Sequence, residues 1–213
     1  NKDHDRETYL ALAQVYEKLK AYGDEEKALD SAGELSQSKD DKKTVMFLRG
    51  AMYERQKKLD AAEKEFRALL EIDPDNSAAL NYLGYMLADQ DSKLTEAQQM
   101  IQKALEQEPN NFAYLDSLGW VYFKEDRLDD AEQQLRRSLQ LHSQDPTIHD
   151  HLGDVLFKQG KIKDAINQWQ TSLQQWNASA PGDVEPAEVA KVQKKLDGAR
   201  IRLAKEQGVS RPN

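Results

Sequence analysis

The sequence predicts an all-α fold built from repeated pairs of helices, and three observations lead to this prediction. Glycine recurs in the same context at Gly50, Gly84, Gly119 and Gly153, at separations of 34, 35 and 34 residues. Apolar residues around each glycine follow helical spacing. Turns that contain proline or asparagine close the intervals, and proline cannot continue a helix. We therefore expect one helix-turn-helix unit in each interval.

Each glycine opens the same set of marks. A large apolar or aromatic residue follows three places later, and further on an alanine is followed four places later by an apolar residue. The large residues are Tyr53, Leu87, Tyr122 and Leu156, the alanines are Ala62, Ala97, Ala131 and Ala165, and their apolar partners are Phe66, Ile101, Leu135 and Trp169. Because a helix interior disfavours glycine, we expect each glycine to permit a close helix crossing, with Gly119 facing Ala131.

These marks resemble the tetratricopeptide repeat, a unit of about 34 residues with the pattern W-x2-L-G-x2-Y, then A-x3-F, then P. The segments YLGYML (82–87), SLGWVY (117–122) and HLGDVL (151–156) keep the Leu-Gly pair and the large residue after it. The sequences of residues 81–89 and 114–123 are similar to those of tetratricopeptide arrays of bacteria. The resemblance implies a right-handed superhelical solenoid whose first helices line a concave groove that holds protein ligands.

The units are predicted at 6–42, 43–76, 77–111, 112–145 and 146–179, within an array that covers 1–179. The first unit is degenerate, with Ala13 in place of the glycine. The segment 180–213 is expected to hold a loop that already begins at Asn177, a capping helix of about 187–207 and a short tail, with 211–213 disordered. Along this helix an apolar seam runs through Val189, Val192, Leu196, Ala199 and Leu203. The seam predicts a cap over the last repeat; the alternative is a detachable basic helix for a membrane or partner.

Composition limits the classes of function. The net charge of -8 argues against binding to nucleic acid, because phosphate binding depends on lysine and arginine. The absence of cysteine excludes thiolate chemistry and cysteine-ligated metals. No apolar run is long enough for a transmembrane segment. Because the chain begins without methionine, we interpret it as a piece of a longer precursor; its compartment, cytoplasm or the periplasmic side of a bacterial envelope, stays open.

Motifs for catalysis, cofactors or metals are not found in the sequence. The segment 142–151 contains three histidines, but His149 and His151 would point about 200° apart on a helix. His149 is expected to pack between helices. We therefore expect a protein without catalysis, cofactor or metal.

The candidate site is the face of the first helices opposite the core. The resemblance implies that these positions bind a protein or peptide segment. They are Phe47, Asn81, Tyr85, Asp89, Asp116, Trp120, Phe123, Lys124, Asp150, Asp154, Phe157 and Lys158. Aromatic side chains beside water are typical of interfaces, and the acids among them predict selection of basic ligands. Alternatively, Trp120, Phe123 and Phe157 wedge between helices as part of the core.

The leading hypothesis is therefore a non-catalytic scaffold that binds an extended or helical segment of another protein. Two alternatives remain open. The polar N-terminal residues 1–7 are too few to cap the first repeat, so either further repeats lie upstream in the full-length protein or this face pairs with another molecule, such as a second copy in a homo-oligomer. The chain could also be the non-catalytic arm of a larger enzyme.

Overall fold

The structure, a computed structural model, describes residues 2–180, 182 and 184–209. Within this part the chain forms eleven α-helices and no strand, which confirms the all-helical repeat prediction. The helices are α1 (Lys2–Lys18), α2 (Tyr22–Leu35), α3 (Lys39–Arg55), α4 (Leu59–Ile72), α5 (Ser77–Asp89), α6 (Leu94–Gln107), α7 (Phe112–Lys124), α8 (Leu128–Leu141), α9 (Pro146–Lys158), α10 (Ile162–Ala178) and α11 (Pro186–Val209). No helix among the described residues is both long and apolar enough to cross a membrane.

The chain divides into two compact units, Asn1–Gln107 and Glu108–Asn213. In the first unit α1 packs on α2, α3 on α4 and α5 on α6, around a core that includes Leu29, Met52 and Phe66. In the second unit α7 packs on α8 and α9 on α10, around Leu135 and Trp169. Each unit is thus made of helix pairs formed by neighbours in the chain.

Side-chain caps begin the first helix of four pairs, and in the first of these Ser38 caps α3. The Asn76 carboxamide oxygen accepts a hydrogen bond from the Ala79 amide at 3.0 Å. The Asn111 oxygen accepts from two amides at the start of α7, and Asp145 does the same at the start of α9. These caps satisfy amides that lack an intrahelical acceptor, which is why the asparagine and aspartate turns of the repeat precede helices.

The recurring glycines lie where the helices of a pair approach most closely. A Cβ on Gly119 would lie 2.8 Å from Leu135 Cγ and 3.3 Å from the Ala131 carbonyl oxygen. The sequence predicts that Gly119 faces Ala131, but the nearest atom belongs to the Leu135 side chain. The backbone of Ala131 also comes close. At Gly153 a Cβ would lie 2.5 Å from Nε1 of Trp169. Substitution of either glycine forces the partner side chain to move.

The turn inside each pair holds a residue in the left-handed conformation. In the last four pairs these residues are Lys57, Asp91, Asp126 and Gly160, with φ of 59°, 51°, 62° and 80°. They share the period of the crossing glycines, yet only the last is a glycine. The backbone therefore repeats more strictly than the residue types.

Helix α11 packs against α10 and buries Val192, Leu196 and Ala199. These residues form the middle of the seam predicted from the sequence, and Val189 and Leu203 at its ends are half-buried. Helix α10 continues to Ala178, one residue beyond the predicted start of the loop. The predicted tail at 211–213 lies outside the described residues, and the division into five units with a C-terminal segment stays a prediction.

Candidate functional site

In the first unit, the predicted groove residues lie on α3 and α5. Phe47 is half-buried and makes edge contacts with the rings of Phe66 and Tyr82, at centroid distances of 5.9 and 5.1 Å. Tyr85 is half-buried and Asp89 exposed. Asn81 is 7% exposed, and its side-chain oxygen has no hydrogen-bond partner among the described residues. Phe47 therefore belongs partly to the core, whereas Asn81 offers an unused acceptor.

In the second unit, Trp120 lies inside the structure. It is only 9% exposed and stacks on the rings of His151 and Phe123, at centroid distances of 4.3 and 4.9 Å. The Lys124 ammonium lies 5.3 Å from the Trp120 ring centroid. The alternative in which Trp120 wedges between helices describes its position better than an exposed groove position.

A buried ion pair lies beside this stack. Nδ1 of His151 donates to Oδ1 of Asp116 at 2.8 Å, and both side chains are buried. Burial alone lowers the pKa of His151, but the charge and hydrogen bond of Asp116, with the charges of Asp150 and Asp154, outweigh it and raise the pKa to about 9. His151 is therefore a cation at neutral pH and forms an ion pair with Asp116.

The two acids of α9 meet a lysine of α11. The Lys195 ammonium lies 2.9 Å from both oxygens of Asp150 and 2.7 Å from Asp154 Oδ2. Burial, and then the charge of Asp150, raise the pKa of Asp154 although Lys195 acts in the opposite direction. No local sequence pattern connects Lys195 with these acids, because they lie 45 and 41 residues away along the chain. The acids of the second unit that were expected to select a ligand are thus already paired with cations of the same unit.

Four predicted site residues line one cleft. Phe123 of α7 and Asp154, Phe157 and Lys158 of α9 face an open cavity of about 850 Å³, which α10 and α11 complete. Phe123 and Phe157 are half-buried. The volume of the cleft falls within the range of about 300–1,000 Å³ that is usual for ligand sites. The structure therefore concentrates part of the predicted groove into a single concave surface.

The histidine segment has a structural role. His149 is buried; its Nδ1 lies 2.7 Å from Oε1 of Gln168 and its Nε2 lies 3.1 Å from the Ser143 carbonyl oxygen. It therefore packs between helices, as expected. Among the described residues no group of three or more histidine, aspartate or glutamate side chains is placed to hold a metal ion.

Comparison with known structures finds the same fold in bacterial proteins. A type IV pilus biogenesis factor, PilW, is 21% identical with a TM-score of 0.72, over 95% of this chain and 92% of the other. PilF of Pseudomonas aeruginosa is 19% identical with a TM-score of 0.67, over 96% and 92%. A thermophilic repeat protein of Thermus thermophilus is 18% identical with a TM-score of 0.72, over 92% and 99%. At these identities the likeness shows the fold alone.

Comparison of the sequence gives the family. No curated protein matches the chain in sequence. Two family models, both of the tetratricopeptide repeat, match residues 44–76 and 86–146. These ranges include Gly50 and Gly119 with the repeat residues that follow each of them, and the repeat residues that follow Gly84. The repeat marks, the all-helical fold and the family models agree that the chain is a tetratricopeptide repeat protein, of the class that serves as scaffolds for protein–protein interaction.

Proposed function

We propose that this protein is a non-catalytic scaffold that binds a linear segment of a partner protein, and that the cleft beside α11 is its principal site. The observation that carries the proposal is the pair of half-buried rings, Phe123 and Phe157, in a cleft of about 850 Å³. Large aromatic side chains in concave surfaces supply most of the binding energy in many interfaces. Phe123 stacks on Trp120 and Phe157 lies against Trp169, so little ordering of the two rings is needed on binding.

The unpaired acceptor of Asn81 supports a further contact in the first unit. A buried oxygen without a partner costs free energy, and a donor from a bound segment would recover it. Tyr85 and Asp89 on the same helix would flank that segment. We do not extend the expected preference for basic ligands to the second unit, because His151 and Lys195 already pair with its acids.

The test is a selection of peptides from a random library against the immobilised chain. We expect selected peptides to bind with an affinity that falls at least about tenfold in Phe157→Ala, since truncating an interface aromatic typically costs about 1.4 kcal/mol or more. The matched control is Leu141→Ala, an exposed apolar residue of the same unit outside the cleft lining. Affinity unchanged by Phe157→Ala, or lost equally in both variants, would contradict the proposal.

A second candidate function is self-association through α1. Leu12 and Val15 of α1, and Leu19 in the turn directly after it, are 38%, 52% and 68% exposed and follow one another at spacings of three and four residues. An exposed apolar stripe of this kind is typical of an interface. A second copy of the chain could cover this stripe.

A further inference from the structure

The cleft beside α11 has an aromatic floor. Phe157 lies against Trp169, with ring centroids 5.6 Å apart, and Phe123 completes the row. Gly198 and Ala199 form the opposite wall, where small side chains leave the floor accessible. A Cβ added to Gly198 would meet no atom within 4 Å. The cleft can therefore receive a large apolar side chain from outside.

The rim of the cleft is cationic. Five basic side chains line it, and Asp154 is the one carboxylate among the described lining residues. The five are Lys158, Lys191, Lys194, Lys195 and Arg202. Lys195 is held by Asp150 and Asp154, so it neutralises the acid that faces the cleft. The remaining four cations set the charge that an incoming ligand meets.

The four remaining cations of the rim form only weak ion pairs, or none, with other described residues. Lys158, Lys191 and Arg202 pair with Asp126, Glu188 and Glu206, and every one of these pairs is exposed to solvent. Exposed pairs contribute little to stability and exchange readily for another carboxylate. Lys194 is exposed and makes no ion pair with the described residues. A ligand carboxylate would therefore gain partners here without breaking a buried pair.

The ring contacts on the rim also favour an anion next to an apolar group. The guanidinium of Arg202 lies 5.1 Å from the Phe157 ring centroid, and the Lys158 ammonium lies 5.0 Å from that of Phe123. Each cation is thus held directly above a floor ring. A ligand that places an apolar side chain on the floor brings its neighbouring residues beside these charges.

We propose that this cleft binds an acidic segment of a partner protein, with a large apolar side chain on Phe123 and Phe157 and flanking carboxylates beside Lys194 and Arg202. The inference rests on the proposed function and names the chemistry of its ligand, which is opposite in charge to the basic ligand expected from the sequence. Single-stranded nucleic acid also combines rings with negative charge. We favour a protein ligand because a nucleic-acid strand carries a negative charge at every nucleotide, so the net charge of -8 would repel its whole length, whereas a short acidic segment needs to meet only the cations of the rim.

The experiment measures fluorescence anisotropy of labelled peptides with the full chain. The probes are peptides of equal length with a central phenylalanine flanked by glutamates, the same peptide with serine for phenylalanine, and a version flanked by lysines. We expect the first to bind at least about tenfold more tightly than the other two, and added salt to weaken its binding. Tighter binding of the lysine peptide would overturn the inference.

A charge reversal tests the rim without disturbing the core. Lys194→Glu should weaken the acidic peptide at least about tenfold. Lys163→Glu is the matched control, because Lys163 is exposed on α10 and does not line the cleft. Equal effects of the two variants would overturn the inference. A labelled oligothymidylate that binds more tightly than the acidic peptide would also overturn it.

The library-selected peptides separate this inference from the proposed function. If peptides that require Phe157 carry no acidic residues, the scaffold stands and the acidic ligand is wrong. If neither the selected nor the acidic peptides require Phe157, both proposals are wrong.

Discussion

The charge of one residue, His151, depends on acids from two helices. Asp116 of α7 accepts its Nδ1 proton, while Asp150 and Asp154 of its own helix act through space, and Trp120 covers its ring. Lys195 is the opposing cation on the same two acids. The cluster places a histidine cation where most buried histidines would be neutral.

Stability should therefore fall as the pH rises. Because the pKa of His151 in the folded chain, about 9, exceeds the ordinary 6.5, its contribution is complete below about pH 6.5 and is lost as the pH rises through about 9. We expect the melting temperature to decline between these pH values. His151→Gln, which cannot become charged, should melt lower at neutral pH and show a flatter profile. Parallel profiles for the two proteins would contradict the assigned charge.

At the scale of elements, helix pairs depend on close crossings. At Gly153, α9 packs against the Trp169 indole of α10. The corresponding side chains at Gly50, Gly84 and Gly119 are Phe66, Ile101 and Leu135. The indole is larger than these side chains, and a Cβ on Gly153 would come within 2.5 Å of it. Helix α11 adds a second contact to α10, through Leu196 and its neighbours.

Gly153→Ala should destabilise the protein by about 1–3 kcal/mol, because a buried aromatic ring must move to admit the methyl group. Urea unfolding followed by circular dichroism measures the change. Gly198→Ala is the matched control: it is an exposed helical glycine with no atom within 4 Å of an added Cβ. Alanine there should stabilise the helix by up to about 1 kcal/mol. Two changes of the same sign would show that crossing geometry does not decide the effect.

At the scale of the whole molecule, the distribution of apolar surface predicts how copies interact. The helix seam of α11 is buried, whereas the α1 stripe of Leu12, Val15 and Leu19 is exposed. The net charge of -8 opposes association at low salt, and added salt screens it. Association through α1 should therefore strengthen as salt is added, opposite to the acidic-ligand contact proposed beside α11.

Sedimentation velocity over a range of concentrations should show reversible self-association. Val15→Lys should weaken it at least about tenfold, because a charge in an apolar interface must be desolvated. Ile201→Lys is the control, since Ile201 is a comparably exposed apolar residue, at 59%, that belongs to α11 and is not part of the stripe. A single monomeric species at all concentrations would remove the support for this second candidate function.

The sequence by itself determined the repeat and the helices. Their signals are local: the spacing of the glycines, the 3.6-residue period of apolar positions and the capping residues Asn76, Asn111 and Asp145 act within a few residues. The seam of α11 was visible for the same reason. The left-handed turns at Lys57, Asp91 and Asp126 could not be predicted from the sequence, because lysine and aspartate do not by themselves indicate a positive φ.

Only the tertiary structure decided which groove residues are available to a ligand. Trp120 is buried because His151 of the next helix pair stacks on it, and Lys195 reaches Asp150 across 45 residues of chain. Such contacts depend on the register between helices that are distant in sequence, and no local periodicity records that register. The charge of the cleft is therefore a property of packed helices: α11 covers the acids of α9 and leaves its own cations on the rim.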